Sequence, residues 1–339
     1  SVARLFCNLR SFDNSDSIVD SRKVLQDKLM EANKSGLKFY VGPEIEYYFL
    51  DNNKEIIEGD DAGYFDQTSA DNKGSNLRRE CVLNLEQMGI PVRSSHHEVS
   101  SGQHEISLKH TDALTMADSI VTTRLVVKQT AIKHGGFATF MPRPFEYLNG
   151  SGLHFHLSLY EGENNAFAGK KSNSLSKLGE GFLAGLLYYS SEMALVTNQW
   201  LNSYKRLIPN LEAPIAGMGK EVKISNIVRV PHINKGDLDN SRIEFRLPDS
   251  ACNPYLALAA ILHAGMEGIK KGLVVPKNWE SNIPNTLYDA IKESQKGNFL
   301  QDAIGLDAYN SIVINKEKEW IEHNLVVTDY ERDFYMKFL

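Results

Sequence analysis

The chain has 339 residues, enough to bury a sizeable core in one large domain or two. Its 42% hydrophobic and 24% charged residues are ordinary for a globular protein, and a net charge of −6 without a Lys/Arg-rich run argues against a nucleic-acid partner. The longest apolar run, residues 255–262, is too short to span a membrane, and the N-terminus has no apolar signal core. Cys7, Cys81 and Cys252 are far apart and odd in number, which is typical of reduced thiols rather than of disulfides or a zinc site. We therefore expect a cytoplasmic protein with no membrane or nucleic-acid partner.

Apolar periodicity and capping residues predict the elements of the first half of the chain. In order they are a short strand over residues 2–9, a helix over 20–36 with Asp20 as its N-cap and Gly36 as its stop, a buried strand over 41–50, a polar stretch over 51–75, a helix over 77–88, a hairpin over 91–109 that turns at 100–102, and a helix over 113–134.

The second half is predicted in the same way. Its elements are a strand over 153–160, a long helix over 175–197, strand-like segments over 217–231 and 241–247, a helix opened by Asn253-Pro254 and running to Gly272, and a mostly helical, charged tail from Pro284. No repeat, low-complexity linker or clear boundary divides the chain, so we expect a single domain over residues 1–339. Because strands and helices do not alternate as βαβ units, the expected fold class is α+β, an antiparallel sheet backed by helices.

Two carboxylates stand inside the buried strand 41–50, at Glu44 and Glu46. Residues two apart on a strand point to the same face, so these side chains are neighbours. Two like charges in a core segment are costly unless a cation lies between them. The sequence therefore predicts a divalent metal site on one face of the sheet.

Two further segments plant polar groups on predicted strands. If the hairpin turns at 100–102, Glu98 and Glu105 lie on adjacent strands and can converge, although a charged hairpin taken alone is more often a solvated edge. His154 and His156 share a strand face behind the glycine-rich loop 149–152, where the backbone can approach a ligand closely. The alternative for a histidine here is a hydrogen-bonded core residue.

Arginines accompany these groups. Arg242, Glu244 and Arg246 have period two and share a face, although such a set taken alone is more often a salt-bridged outer face. The proline-bounded segment 202–214 can place Arg206 and Glu212, or it can be a plain surface connection. Carboxylates with an occasional imidazole suit Mg²⁺ or Mn²⁺ better than zinc, and metals combined with arginines, including Arg229, indicate phosphate or carboxylate chemistry.

Seven motifs in order make the chain resemble the catalytic domain of the prokaryotic type of glutamine synthetase, from about Ala3 to the C-terminus. They are Gly42-Pro43-Glu44-Ile45-Glu46, His96-His97-Glu98 with Gly102-Gln103-His104-Glu105, Ala138-Thr139-Phe140-Met141-Pro142-Arg143-Pro144, Asn149-Gly150-Ser151-Gly152-Leu153-His154, Asn202-Ser203-Tyr204-Lys205-Arg206-Leu207, Arg242-Ile243-Glu244-Phe245-Arg246-Leu247-Pro248-Asp249 and Asn253-Pro254-Tyr255-Leu256-Ala257. No single motif decides the matter, but the ordered set is very specific.

The resemblance implies an open half-barrel of antiparallel strands whose concave face holds two Mg²⁺ or Mn²⁺ ions. It implies that Glu46, Glu98 and Glu105 bind the metal near the amino-acid substrate, and that Glu44, His154 and Glu244 bind the metal near the nucleotide phosphates. Implied substrate contacts are Asn149, Gly150, Arg206 and Arg246, implied nucleotide contacts are His156, Ser158, Arg229 and Arg242, and implied catalytic residues are Glu212, Arg206 and Arg229. Glu212 would cover the site and help to deprotonate the attacking amine.

The reaction that the resemblance implies is the ATP-dependent joining of the γ-carboxylate of glutamate to ammonia through γ-glutamyl phosphate, in a homo-oligomer with a role in nitrogen metabolism. Metal ions and arginines would stabilise charge on the transferred phosphoryl group. Two alternatives stay open. One is a γ-glutamyl ligase for another amine, and the other is a catalytically impaired relative that binds metal and nucleotide in a structural or regulatory role.

Four departures from the family pattern bear on that choice. The family begins with a β-grasp domain that completes the neighbouring subunit's site, and this chain starts where that domain would end, so we expect a more exposed site and weaker ring contacts. Lys223-Ile224 stands where the family has Asn-Arg, so a phosphate-binding arginine is missing. Asp239 stands where a lysine is usual, which would place negative charge near the phosphates. The segment after Gly272 lacks the insert that carries an adenylylated tyrosine, so we expect no such control.

Overall fold

The structure, a computed structural model, describes residues 3–13, 15–17, 19–60, 63–66, 72–170, 174–208, 212, 224–232, 238–275, 279 and 283–339. Its strands are β1 (Leu37–Leu50), β2 (Val92–His97), β3 (Gln103–Leu108), β4 (Thr111–Asp112), β5 (Phe137–Thr139), β6 (Leu153–Glu161), β7 (Asn164–Asn165), β8 (Val228–Arg229) and β9 (Ile243–Phe245).

The helices are α1 (Ser21–Lys34), α2 (Lys73–Gln87), α3 (Ala113–Lys133), α4 (Lys177–Tyr188), α5 (Ser190–Thr197), α6 (Leu201–Arg206), α7 (Ile224–Ile227), α8 (Pro254–Lys271), α9 (Leu287–Ser294), α10 (Phe299–Ile304), α11 (Leu306–Asn324) and α12 (Asp329–Tyr335). Short 3₁₀ turns lie at Tyr64–Asp66 and Leu238–Asn240. None of the helices in the described ranges combines the length and apolar character that a membrane span requires.

The strands form one open antiparallel sheet in the order β2-β3-β1-β6-β9-β8, with β4 and β5 paired to β1 and β7 paired to β6. The long strand β1 is its axis, because it pairs with β3 on one side and β6 on the other. The α+β prediction of an antiparallel sheet flanked by helices is confirmed. That the chain forms a single domain stays a prediction.

Strand β1 shows why the two faces of the sheet differ. Its odd-numbered residues Phe39, Val41, Ile45 and Tyr47 are at most 2% exposed and belong to the hydrophobic core. Helices α1 and α3 pack on β1, α4 packs on β8 and β9, and α8 lies behind α1, α3 and α4. The even-numbered residues, which include the two glutamates, point away from this helical layer because side chains alternate along a strand. The polar face is thus left for a site.

Capping residues begin and end the helices where the sequence predicts. The Asp20 carboxylate accepts hydrogen bonds from the first-turn amides of α1, and the Asn253 side chain does the same for α8. Gly272 follows α8 with a φ of 59°, the left-handed conformation that ends many helices. The hairpin at 91–109, the helix over 113–134 and the helical tail are confirmed as β2–β3, α3 and α9–α12.

Several predicted elements are wrong or shifted. Residues 3–9 form no strand, because no neighbouring strand pairs with them, and residue 2 lies outside the described residues. The predicted helix over 175–197 is two helices broken at Tyr189, where α4 packs on α8 and α5 turns to pack on α9. The helix predicted from Leu77 begins earlier, at Lys73.

The strand-like segments near the end of the sheet are shorter than predicted. Residues 217–223 lie outside the described residues, 224–227 form a helical turn, and only Val228–Arg229 is a strand. In the segment 241–247, the strand is confined to Ile243–Phe245.

Candidate active site

The strand register places the polar residues of four strands opposite one another. Glu46 is paired with Glu105, Glu44 with His154, and His156 with Glu244. Directly opposed residues of antiparallel strands point to the same face. His96 opposite Glu105 and Arg229 opposite Glu244 extend the row to the edge strands β2 and β8. The sequence-predicted acidic residues therefore meet on one face.

This face borders a cavity of about 320 Å³. The residues that line it are Glu44, Glu46, Tyr64, Phe65, His96, Glu98, Gln103, Glu105, Asn149, Gly150, His154, Glu212, Arg229, Glu244 and Arg246. All six predicted metal ligands are among them.

One group of ligand atoms surrounds Glu44. Its carboxylate oxygens lie 2.7 Å from His156 Nε2 and 3.3 Å from His154 Nδ1. His154 Nδ1 is also 3.8 Å from Glu244 Oε1. The buried Glu244 carboxylate is held by Arg229 Nε at 2.5 Å and by Arg246 Nε at 3.2 Å. Donor atoms of Glu44, His156 and Glu244 lie close enough to share one ion.

A second group surrounds His96 on the neighbouring hairpin. His96 Nε2 lies 3.4 Å from Glu105 Oε1, and His96 Nδ1 lies 3.5 Å from Glu98 Oε1. The Ser107 hydroxyl donates a 2.8 Å hydrogen bond to Glu105 Oε1 and fixes that carboxylate. Donor atoms of His96, Glu98 and Glu105 are also close enough to share an ion.

Glu46 lies between the two groups. Its Oε2 accepts a 2.7 Å hydrogen bond from the Gly152 amide and a 3.4 Å one from Gln103 Nε2, and its Oε1 is 3.7 Å from His154 Nε2. The structure thus brings Glu46 opposite Glu105, as predicted, while placing it within reach of the histidine of the other group.

Burial and mutual repulsion perturb the acidic groups strongly. Burial, with the nearby charges of Glu46 and Glu105, raises the pKa of Glu98 to about 8. Burial also raises the pKa of Glu46, against the attraction of His154 and Arg206. For Glu44 burial opposes ionisation, but hydrogen bonds from His154 and His156 outweigh it and lower the pKa.

For the histidines, burial and the neighbouring carboxylates act on the pKa in opposite directions. Burial works against a charged His96 ring, but the hydrogen bond and charge of Glu105 raise its pKa to about 9. Burial likewise opposes a charged His154, and the hydrogen bond to Glu44 and the charge of Glu46 raise its pKa. The neighbouring carboxylates thus favour protonation of both histidines. Oxygen donors with an occasional imidazole, crowded to this degree, fit Mg²⁺ or Mn²⁺.

The loop 149–152 forms one wall of the cavity and is held from several sides. Tyr48 donates a 2.6 Å hydrogen bond from its hydroxyl to the Asn149 carbonyl, and Gln103 Nε2 donates to the Gly150 carbonyl at 3.0 Å. The Gly150 position needs glycine, because a Cβ there would lie 2.5 Å from the Pro142 carbonyl oxygen and 2.6 Å from Arg206 Cγ. The backbone of this loop is therefore rigidly presented to the cavity.

Arg206, the last residue of α6, lies behind this loop and does not line the cavity. Its side chain is 1% exposed, and its guanidinium donates to the Leu247 carbonyl at 3.0 Å and the Arg246 carbonyl at 3.4 Å. It therefore holds the strand end that carries Arg246. A direct contact of Arg206 with substrate stays a prediction.

A second cavity, of about 360 Å³, adjoins the first and collects three of the four predicted nucleotide contacts, His156, Ser158 and Arg242. Arg242 Nε donates to His156 Nδ1 at 3.2 Å, so the other ring nitrogen of His156 carries the proton that faces Glu44. Arg229 lines the first cavity instead. His156 therefore links the two cavities.

Glu212 and the positions that depart from the family pattern are only partly described. Glu212 lines the first cavity, and its amide lies 3.4 Å from Asn149 Oδ1. Asp239 lines the second cavity, and its carbonyl accepts hydrogen bonds from Tyr160 and Asn165. Lys223 and the side chain of Ile224 lie outside the described residues.

Some site residues were not predicted from the sequence. His96 and Ser107 share strand faces with Glu98 and Glu105 by the same period of two, so the signal for them was present in the sequence. Tyr64 and Phe65 come from the polar stretch, whose path no pattern predicts. A buried group behind the hairpin, formed by Asp60, His97 and His104, was also missed.

Comparisons with known proteins agree with this arrangement. Residues 18–335 match the family described as glutamine synthetase, catalytic domain. The chain belongs to the glutamine synthetase family. The family is one of ATP-dependent glutamate–ammonia ligases, which makes this chain a ligase by class.

Named relatives support the same placement. The glutamine synthetase of Mycobacterium tuberculosis H37Rv is 40% identical over 98% of this chain and 79% of its own length. That of Staphylococcus aureus is 42% identical over 99% of this chain and 79% of its own length.

Solved structures support the fold. A glutamine synthetase from Plasmodium falciparum has a TM-score of 0.87 at 25% identity and covers 97% of this chain and 81% of its own. A complex of GmaS with ADP has a TM-score of 0.85 at 28% identity and covers 96% of this chain and 79% of its own.

A cytoplasmic location stays a prediction.

Proposed function

We propose that the chain joins the γ-carboxylate of glutamate to ammonia at the expense of ATP, through a γ-glutamyl phosphate intermediate, with Mg²⁺ or Mn²⁺ in the site. Family membership supports the reaction class. The observation that carries the proposal for this chain is the register that places Glu44, Glu46, Glu98, Glu105, His154 and Glu244 on one cavity.

The two groups of ligand atoms support two ion positions. We assign Glu46, Glu98 and Glu105 to the ion near the amino acid, and Glu44, His154 and Glu244 to the ion near the phosphates. In the structure the atoms close enough to share an ion are those of His96, Glu98 and Glu105 and those of Glu44, His156 and Glu244, so His96 takes the place of Glu46 in one group and His156 that of His154 in the other. When bound, such ions neutralise phosphoryl oxygens and the crowded carboxylates alike.

The remaining proposed roles belong to residues that can bind and orient. Arg246 and Arg229 line the cavity and offer guanidinium groups for the carboxylate and the transferred phosphate. Asn149 and Gly150 present backbone and amide groups to the substrate. Arg206 acts by holding the strand end of Arg246, besides its predicted direct contact. Glu212 would cover the cavity and accept a proton from the attacking amine.

The nucleotide would occupy the second cavity, whose residue His156 is hydrogen-bonded to Glu44 of the first. His156, Ser158 and Arg242 would bind it there, and Arg229 would reach its phosphates from the first cavity. Asp239 at the rim adds negative charge, so the catalytically impaired alternative stays open.

A phosphate-release assay tests the proposed function. The purified chain is given ATP, Mg²⁺ or Mn²⁺, glutamate, and either ammonia or a panel of primary amines. Phosphate release that depends on ammonia supports the proposal. Phosphate release only with another amine supports the alternative, a γ-glutamyl ligase for that amine. Binding of metal and nucleotide without turnover would favour the non-catalytic relative. A Glu244→Gln variant serves as the control for contaminating activity.

Assembly into a homo-oligomer is part of the proposal. It is supported by the apolar C-terminal segment around α12, whose helix buries none of its own residues in the chain. Large exposed apolar segments of this kind mark association surfaces.

A further inference from the structure

The hairpin β2–β3 has a second polar face behind the one that lines the cavity. His96, Glu98 and Glu105 face the cavity, whereas His97 and His104, each one residue away from a glutamate, point to the other side. His97 and His104 are paired across the hairpin, and both are 0% exposed. Buried histidines are expensive without partners, so their contacts have to be accounted for.

Asp60 is the partner of both rings. Its Oδ1 lies 3.1 Å from His97 Nε2 and its Oδ2 lies 2.8 Å from His104 Nε2, and the carboxylate is fully buried. Arg78 of α2 donates to His104 Nδ1 at 2.7 Å. Because a guanidinium only donates, this ring nitrogen accepts, and the proton on Nε2 faces Asp60.

The same network reaches the backbone on both sides of the turn. His97 Nδ1 lies 2.6 Å from the carbonyl oxygen of Glu98, which can only accept, so the ring donates to it. The Asp60 carbonyl accepts a 2.9 Å hydrogen bond from the Gly102 amide, within the turn. Asp60 thus contacts β2, β3 and the loop between them.

Asp60 is itself fixed by the start of α2. A Cβ at Gly74 would come 2.0 Å from Asp60 Oδ2, so the helix backbone packs directly on the carboxylate. Asn72, the N-cap of α2, donates a 2.9 Å hydrogen bond to the Gly59 carbonyl. The network therefore ties the hairpin to a helix and leaves the hairpin little freedom to open.

We propose that Asp60, His97 and His104 are positioning residues that set the distance between Glu98 and Glu105 and so prepare the ion position near the amino acid. This inference rests on the proposed function, because it assigns these residues to one of its two ion positions. The geometry favours hydrogen bonds over a third ion here, since Arg78 adds a positive charge beside His104 and the two carboxylate oxygens serve different rings. Outer partners of metal ligands commonly affect affinity by about 10–100-fold.

The test is calorimetric titration of metal-free protein with Mn²⁺. Asp60→Asn should weaken one of two ion positions by about 10–100-fold and leave the other unchanged. Glu98→Gln identifies the weakened position. Adding Asp60→Asn to Glu98→Gln should leave the affinity of the remaining ion unchanged. In turnover, Asp60→Asn should raise the Mn²⁺ concentration for half-maximal rate while kcat at saturating Mn²⁺ stays near the wild-type value.

Leu85→Ala is the matched control. Leu85 is fully buried on α2 and its apolar side chain makes none of the hydrogen bonds of the Asp60 network, so this variant should lower stability while both Mn²⁺ affinities stay as in the wild type. Should Asp60→Asn fail to fold, His97→Gln replaces it. The glutamine amide can still donate to Asp60 but no longer reaches the Glu98 carbonyl. His97→Gln should therefore weaken the same ion position by a smaller factor than Asp60→Asn.

Three results would overturn the inference. The first is unchanged Mn²⁺ affinity at both positions in the folded variants. The second is a third ion per chain that is lost in Asp60→Asn, because the cluster would then be a metal site. The third is a wild-type protein that binds no ion, which removes the proposed function as well, whereas in the first two cases the proposed function stands.

Discussion

Glu44 and Glu46 show how much two neighbouring carboxylates of one strand can differ. Glu44 has histidine ring nitrogens on both of its oxygens, and these hydrogen bonds lower its pKa against the effect of burial. Glu46 has a backbone amide and a side-chain amide instead, and burial raises its pKa. Ionised Glu44 is therefore favoured by its neighbours, whereas burial disfavours ionised Glu46. The difference arises from partners on β6 for Glu44, and on β3 and in the loop 149–152 for Glu46.

Replacing Glu44 by glutamine tests its role as a ligand. Glu44→Gln removes the charge that faces His154 and His156 but keeps the shape of the side chain. Because even outer partners of metal ligands are worth about 10–100-fold, loss of a direct ligand should weaken one Mn²⁺ position by at least about 100-fold. Calorimetric titration measures this, and turnover should fall with it. Asp27→Asn, at an exposed carboxylate of α1, is the control and should change neither.

The raised pKa values of Glu98 and His96 predict how the metal-free protein responds to pH. The pKa of Glu98 rises from 4.5 to about 8 on folding, and that of His96 rises from 6.5 to about 9. Groups with raised pKa values stabilise the fold below their unfolded values, and that stability is lost as pH rises through the folded values. Between pH 6 and pH 9, metal-free protein should therefore lose on the order of a few kcal/mol from these groups.

Urea unfolding of EDTA-treated protein at several pH values measures this effect. The informative quantity is the difference in unfolding free energy between wild type and Glu98→Gln, because titrating groups that do not interact with Glu98 cancel in it. The unfolding free energy of the wild type should fall relative to that of Glu98→Gln as pH rises. With Mn²⁺ bound, this dependence on pH should disappear. A difference that does not vary with pH would show that Glu98 is ionised in the metal-free fold.

Among the elements, those with a strong local signal were predictable from the sequence. Asp20 and Asn253 mark the starts of α1 and α8, and the alternation of β1 separates a core face from a polar face. The break at Tyr189 has no strong local signal, because no glycine or proline stands within residues 186–197. Its cause is tertiary: the Tyr189 ring stacks on Phe299 of α10 with centroids 4.3 Å apart. The strand predicted over 2–9 fails for the converse reason, since alternation alone provides no pairing partner.

The contact between α4 and α8 depends on glycines. A Cβ at Gly185 would lie 2.1 Å from the Ala264 carbonyl oxygen, whereas one at Gly181 would lie 3.2 Å from Ile269 Cα. Gly185→Ala should therefore destabilise the fold by about 2 kcal/mol or more, because the helices have to separate. Gly181→Ala is the matched control on the same helix, where the gain in helix propensity of about 1 kcal/mol offsets a smaller steric cost.

Unfolding free energies from urea titration compare the two glycine variants. Equal losses in both would show that the closer approach of the helices at Gly185 does not set the effect. We expect the unfolding free energy of Gly185→Ala to be clearly lower than that of Gly181→Ala.

At the scale of the whole molecule, the grouping of the candidate site was predictable because most of its candidate ligands lie on strands. Period two placed Glu44 with Glu46, and the hairpin turn placed Glu98 near Glu105, so strand pairing and the turn bring these predicted ligands together. Asp60 could not be found in this way, because it lies in an irregular segment whose path depends on the packing of α2. Arg206 was found in the sequence, but its burial behind the loop 149–152 depends on the packing of α6.

The C-terminal segment 325–339 bears on how the molecule associates. Leu325, Val327 and Phe338 are each more than 70% exposed, and α12 buries none of its residues in the chain. An exposed apolar surface of this kind is unfavourable in water unless a second molecule covers it. We therefore expect wild-type protein to self-associate through this segment.

A chain ending at Asn324 should keep its helical circular dichroism and thermal midpoint, because it loses few internal contacts, while its mass by light scattering falls. Lys318→Gln, an exposed change on the preceding helix α11, is the control and should keep the wild-type mass. A truncated chain with the same mass as the wild type would place the association surface elsewhere on the molecule.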